Sequence, residues 1–238
     1  MVAEKLKKCP FCGATVKARN LPIHKWRVHL QHLFEKDSLS KEEIESICDT
    51  ATELHYIGKN NLAIKIFRKI LSIDPSNFGA WNDLSLVLKD VGKIREALKA
   101  VNKSIELNPN FAGSWSNKGF LHLLLEEDDE AIKSYERCIN LDPSMLVVWY
   151  NMGAAYMRKK DFKKALECIN RAIELNDEYY MAWVAKAQIL DILGKEEESK
   201  KCFMKAYSIN PEYVLQFIKA LKSGRNMVYT SGMEAKKN

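Results

Sequence analysis

The sequence predicts an all-α chain of stacked helix pairs behind a small N-terminal metal-binding module, and three observations predict it. Trp81, Trp115, Trp149 and Trp183 stand 34 residues apart each time. Pro75, Pro109, Pro143 and Pro211 keep the same period, with Asp177 in the place of the missing proline. Near the N-terminus, Cys9-x2-Cys12 is followed by His24-x4-His29, a pairing of thiolates and imidazoles that suits one tetrahedral metal. Self-similarity at a fixed period of roughly 20–50 residues marks a repeat array, in which each unit buries its apolar face only by stacking on its neighbours.

Small residues fill further columns of the same period. Ala63, Ala97, Ala131 and Ala165 share one, continued by Ser199; Gly119 and Gly153 share another with Ala51, Ser85 and Ala187. Ala172 and Ala206 share a third with Ile70, Ser104 and Cys138. Small side chains there let two antiparallel helices approach closely, while the tryptophans and large apolar residues fill the space between pairs. Gly58-Lys59-Asn60, Gly92-Lys93, Asp128-Asp129 and Gly194-Lys195 are read as the breaks within a repeat. Asp74-Pro75, Asn108-Pro109, Asp142-Pro143 and Asn210-Pro211 are the breaks between repeats, because proline removes a donor and turns the preceding residue away from helix.

In phase, the repeats run 44–77, 78–111, 112–145, 146–179 and 180–213, about 170 of the 238 residues. Trp149, Met152, Gly153, Tyr156 and Ala165 in one copy, and Trp115, Gly119, Ala131, Tyr135 and Pro143 in another, resemble the tetratricopeptide repeat. The resemblance implies a tetratricopeptide-repeat superhelix, an α-solenoid. Ser40-Lys41-Glu42-Glu43 matches a capping box that starts the first helix near residue 41. Residues 1–34 are then a zinc-finger module, and 35–43 a linker and the start of the first repeat helix. Residues 212–222 are a capping helix, and 223–238 a disordered tail.

The Cys9, Cys12, His24 and His29 set resembles the two-Cys two-His zinc finger, with His32 as a rival fourth ligand and zinc as the implied cofactor. Val16 and Leu21 offer a core too small to fold without metal. Residues 1–32 hold seven basic side chains against Glu4 alone, which is the whole net charge of +6; the rest balances 30 basic with 30 acidic residues. Attraction to a polyanion would therefore come from the finger, through Lys17, Arg19, Lys25 and Arg27. Pro22 places the helix start near Asn20 or Leu21, which leaves Lys17 and Arg19 in a loop and Ile23 where a base contact would be needed. Base-specific reading is not expected; backbone contact with RNA or DNA is the alternative function. The other reading makes the finger a cap, with Trp26 packed on the array.

The family resemblance implies a concave groove lined by the first helix of each repeat. Its candidate residues are Asn82, Asn117, Phe120, Leu124, Val147, Tyr150, Asn151, Met157, Met181, Val184 and Gln188. In the later repeats they suit an apolar or amphipathic protein segment, unless they only pack against the next repeat. Cys48, Asn82, Ser116, Tyr150 and Val184 occupy the column where a carboxylate clamp needs cations, so no such clamp is expected. No nucleotide-binding glycine loop and no Ser/His/Asp or Cys/His constellation is visible, so a non-catalytic scaffold is expected. Glu126-Glu127-Asp128-Asp129 reads as a solvated turn. Nothing approaches the roughly 18 apolar residues a membrane span requires, the scattered cysteines fit a reducing compartment, and a cytoplasmic location is expected.

Overall fold

The computed structural model describes residues 6–9, 12, 14–30 and 38–222, without the side chains of Arg19, His29, Leu221 and Lys222. The tail expected over 223–238 and the rival ligand His32 lie outside the described residues. The chain divides into two compact units, Met1–Asn117 and Lys118–Asn238.

The N-terminal module opens with an antiparallel hairpin of β1 (Leu6–Lys8) and β2 (Thr15–Lys17), in the register Lys7 opposite Val16. The hairpin loop carries the two cysteines, and the Cys9 amide donates to the Ala14 carbonyl at 2.9 Å, closing the knuckle. A 3-10 turn (Ala18–Asn20) leads into α1 (Leu21–His24), which has Pro22 in its first turn where a missing N–H costs nothing. A π-helical turn (Lys25–Leu30) follows. This short helix and the π-helical turn both pack on α2 (Lys41–Tyr56), and Leu21, Trp26 and Leu30 are buried.

Within the first unit, α2 begins at the expected capping box. The Ser40 hydroxyl accepts from the Glu43 amide at 3.2 Å, and the Glu43 carboxylate accepts from the Ser40 amide at 2.8 Å. Two orphan donors of the helix start are thereby satisfied, a contribution of about 1 kcal/mol. α3 (Asn60–Ile73) pairs with α2, α4 (Phe78–Asp90) packs against α3, and α5 (Ile94–Leu107) pairs with α4. α6 (Ala112–Leu124) begins in the first unit and ends in the second.

The second unit continues with α7 (Asp128–Leu141), α8 (Leu146–Arg158), α9 (Phe162–Leu175), α10 (Tyr180–Ile192) and α11 (Glu196–Ile209). α12 (Pro211–Lys222) closes it, sealing Val214 and Phe217 against Val184 and Ala206. The close approaches expected of the small columns are present. A Cβ on Gly119 would stand 2.5 Å from the Tyr135 ring, and one on Gly153 2.8 Å from Ile169. Ala63, Ala97, Ala131, Ala165 and Ala206 are fully buried.

The turns inside the repeats fall where the sequence reading put them at Gly58, Gly92 and Gly194, and differ from it in the third repeat. Gly58, Gly92, Glu126, Lys160 and Gly194, one per repeat, all have positive φ. At each, two amides close the helix end on carbonyls three and five residues back: Gly58 to His55 and Lys59 to Leu54 in the first repeat, Lys160 to Met157 and Asp161 to Tyr156 in the fourth. This is the glycine-favouring helix stop, formed by Glu and Lys in two of five copies. Asp128 and Asp129 therefore lie not in the break but in the first turn of α7, where acidic side chains suit the helix dipole.

The tryptophan column has a second role besides filling space. The indole N–H of Trp81, Trp115 and Trp149 donates to the carbonyl of Pro75, Pro109 and Pro143 at 3.0, 2.8 and 2.9 Å. Trp183 donates to Asp177 at 2.7 Å. The bond needs only a carbonyl, which explains why Asp177 serves in the proline column.

Candidate functional site

Three of the four expected ligands come together at the N-terminal knuckle. The Cys9 and Cys12 sulfurs and a His24 ring nitrogen all lie within 4.8 Å of one another. Cys12 Sγ is 3.4 Å from His24 Nε2. In a tetrahedral site with zinc–sulfur near 2.3 Å and zinc–nitrogen near 2.0–2.1 Å, the sulfur–nitrogen edge is about 3.6 Å. The hairpin aims the sulfurs and α1 delivers the imidazole, so the donor set fits such an ion. The fourth expected ligand, the His29 side chain, lies outside the described residues.

The basic cluster is only partly available. The Lys25 ammonium bonds both carboxylate oxygens of Glu53 on α2, at 2.7 and 2.8 Å, and its side chain is 13% exposed. Lys25 is thus removed from the expected polyanion-contact set: it ties the N-terminal module to the first repeat. Lys17 and Arg27 are exposed, and the Arg19 side chain lies outside the described residues. Trp26, next to Lys25 in the chain, is buried.

On the first-helix faces, the candidate groove residues divide by accessibility. Asn82, Tyr150, Asn151, Met157 and Val184 are buried. The Asn82 carboxamide oxygen accepts from Asn117 at 2.8 Å and from the Ser114 hydroxyl at 3.2 Å. Ser114 in turn bonds Ser104 at 2.7 Å, and Ser104 donates to the Phe78 carbonyl at 2.8 Å. Asn82 therefore knits α4, α5 and the start of α6. The Tyr150 ring meets Tyr179 edge-on, 5.3 Å between centroids. Asn151 stands beside Tyr135, whose phenol is pushed well above its usual range by burial, an effect the nearby Asn151 side chain only partly opposes. Asn117, Phe120, Leu124, Val147, Met181 and Gln188 remain accessible.

The sequence reading missed a cleft of about 840 Å³ in the first unit. It lies between the starts of α2 and α4 and is lined by Glu45 and Cys48 from one helix and Gly79, Ala80 and Asp83 from the other, with Asp74 at the intervening turn. Burial raises the Asp83 carboxyl pKa, with the Asp49 charge adding to it. Burial, then the Asp83 and Asp49 charges, push the Cys48 thiol up to about 12. Lys41 also lines the cleft, so Glu45, Asp74 and Asp83 leave it an excess of negative charge over that one cation, beside an inert thiol. Only the helix stacking brings residues of two repeats into it, so no local motif announces it.

In the acidic stretch expected to be a solvated turn, Glu126, Glu127 and Asp129 are exposed, but Asp128 is half-buried in a clamp. Asp128 pairs with the Arg158 guanidinium at 2.7 Å, Asp129 contacts Lys159, and a second Arg158 nitrogen donates to the Leu123 carbonyl at 3.2 Å. His122 is hydrogen-bonded to Glu127 at 2.6 Å. No described helix is long and apolar enough to cross a membrane.

Several known proteins share this architecture. A crystal structure of MamA is similar with a TM-score of 0.64 and 22% identity, over 69% of this chain and 96% of that one. A MamA from Desulfovibrio magneticus RS-1 gives 0.65 and 15%, over 71% and 95%. YrrB, described as a TPR protein with an unusual peptide-binding site, gives 0.63 and 17%, over 80% and 98%. No curated protein sequence matches the chain. Tetratricopeptide repeat family models match residues 45–77, 78–111, 112–145 and 182–213, and a second such model matches 147–179. With those five copies on the 34-residue period of its tryptophans, the chain belongs to the tetratricopeptide repeat family.

Proposed function

We propose that this chain is a non-catalytic interaction scaffold that docks a protein segment on the first-helix faces of its repeats, with a zinc-organised finger fixed to the first repeat as a cap. The observation that carries the reading is the open cleft of about 840 Å³ between α2 and α4. Glu45, Asp74 and Asp83 favour Lys or Arg side chains there. In the second unit, accessible Phe120, Leu124, Val147 and Met181 favour apolar side chains. The fold shared with YrrB, whose structure is described as carrying a peptide-binding site, supports the reading.

For the finger, Cys9, Cys12 and His24 would hold the ion, with His29 as the expected fourth ligand. The ion would supply the cross-link that a module with so small a core lacks. Lys25 and Trp26 then make the module a cap on the array.

The test is an array of labelled peptides combining Lys or Arg with apolar residues, read by fluorescence anisotropy against the full chain. Glu45→Lys with Asp83→Lys is expected to abolish binding of the basic peptides, and Phe120→Glu to weaken peptides relying on apolar contacts. Tight binding untouched by all of these places the docking surface elsewhere. In parallel, metal analysis is expected to find one zinc per chain, lost in Cys12→Ser; a metal-free parent chain with a protected finger would sink the zinc assignment.

A further inference from the structure

A second cleft of the first unit, about 570 Å³, lies between α3 and α5 with α4 at its base. Its base is Trp81, Leu84 and Leu88, and Leu71 and Ala100 form its walls. The one polar atom of the base, the Trp81 indole nitrogen, is already committed to the Pro75 carbonyl. The rim is cationic on both sides: Arg68 on the α3 wall, Lys99 and Lys103 on the α5 wall, with Glu96 as the acidic side chain lining it. Arg68 pairs with Glu96 at 2.8 Å and Lys103 with Glu106 at 2.9 Å, exposed pairs that exchange readily.

We propose that this cleft docks an acidic amphipathic helix of a partner protein. The floor is hydrocarbon and indole, so the occupant must offer apolar side chains. The cations stand on both walls, so carboxylates must flank the apolar stripe on either side. An amphipathic helix with apolar residues at i, i+3, i+4 and i+7 presents that pattern on one face. An extended strand sends alternate residues to opposite faces and does not. A membrane surface fits poorly, because Leu71, Leu84, Leu88 and Ala100 are buried beneath exposed Arg68, Lys99 and Lys103. A plane of headgroups meets the rim and leaves the floor unfilled.

The cleft is a different surface from the one between α2 and α4, so the two assignments stand or fall separately. The test uses the full-length chain and two synthetic helical peptides with the same leucine stripe, one flanked by glutamates and one by lysines. Binding is read by fluorescence anisotropy at low and high salt. The glutamate peptide is expected to bind and the lysine peptide not to. The double variant Lys99→Glu, Lys103→Glu is expected to lose at least about tenfold in affinity with unchanged circular dichroism. Lys133→Glu with Arg137→Glu, the same positions one repeat on, is expected to leave binding within about twofold. Equal binding of both peptides, no binding, or equal loss in both double variants overturns the proposal. So does binding to phosphatidylglycerol vesicles, sensitive to the Lys99 and Lys103 changes, without binding of the peptide.

Discussion

The ammonium of Lys25 sits between the two carboxylate oxygens of Glu53, at 2.7 and 2.8 Å, and so fastens the N-terminal module to the first repeat helix. A residue that sequence places in a basic patch is, in the fold, a tether. Removing either charge is expected to loosen the finger without unfolding the array. In Lys25→Ala, amide exchange over 21–30 should speed up by a factor matching about 1 kcal/mol, with global unfolding unchanged. The swap Lys25→Glu with Glu53→Lys should recover most of the protection; failure to recover it would mean that the pair does not hold the finger.

Lys160 holds a positive φ in a stop that glycine forms in three of the five repeats. A side chain in the left-handed region costs about 1 kcal/mol. Lys160→Gly is therefore expected to stabilise the chain by about 0.5–1 kcal/mol in urea denaturation, less whatever glycine adds to the freedom of the unfolded chain. Glu126 holds the same positive φ in the third repeat, so Glu126→Gly should gain a similar amount.

Gly119 cannot accept a methyl group without moving Tyr135, which is fully buried. Gly119→Ala should destabilise by about 1–3 kcal/mol despite alanine's better helix propensity. Gly79→Ala, where the nearest atom to a new Cβ is Asn77 Oδ1 at 3.5 Å, should instead be neutral or stabilising. Thermal unfolding of the two variants side by side checks both signs.

Asp83 carries a raised pKa because burial disfavours its charge. A carboxyl that holds its proton more tightly when folded contributes most to stability in acid. That contribution is lost as pH rises from the unfolded value, near 3.9, through the folded one. Asp83→Asn is thus expected to melt higher than the parent at pH 7, with the gap closing below about pH 4. A gap independent of pH would show that the charge is not its cause.

The Arg158 fork joins Asp128 at the start of α7 and the Leu123 carbonyl at the end of α6. Arg158→Met leaves Asp128, whose side chain is 18% exposed, without its cation and should cost about 2–3 kcal/mol. Arg158→Lys keeps the charge but not the fork, and should fall between. Adding Asp128→Asn to Arg158→Met should restore part of the loss, which a double-mutant cycle reads directly.

The repeat is legible in the sequence: its period, its five copies, the capping box at Ser40 and the columns of small residues at which paired helices approach. Each of these is local or recurs every 34 residues, so side-chain type reports it directly. The Cys9, Cys12 and His24 cluster was legible for the same reason, since hairpin and helix bring together what the spacing already pairs. Which side chains remain exposed follows from how the helices stack, and not from the repeat pattern. Tyr150, Asn151 and Val184 occupy groove columns yet are buried, because accessibility depends on neighbouring helices rather than on position within a repeat. Tertiary structure also decided which charges are free. Lys25 meets Glu53 across 28 residues and Arg158 meets Asp128 across 30, and no pattern of charge along the chain distinguishes such partners from solvated ones.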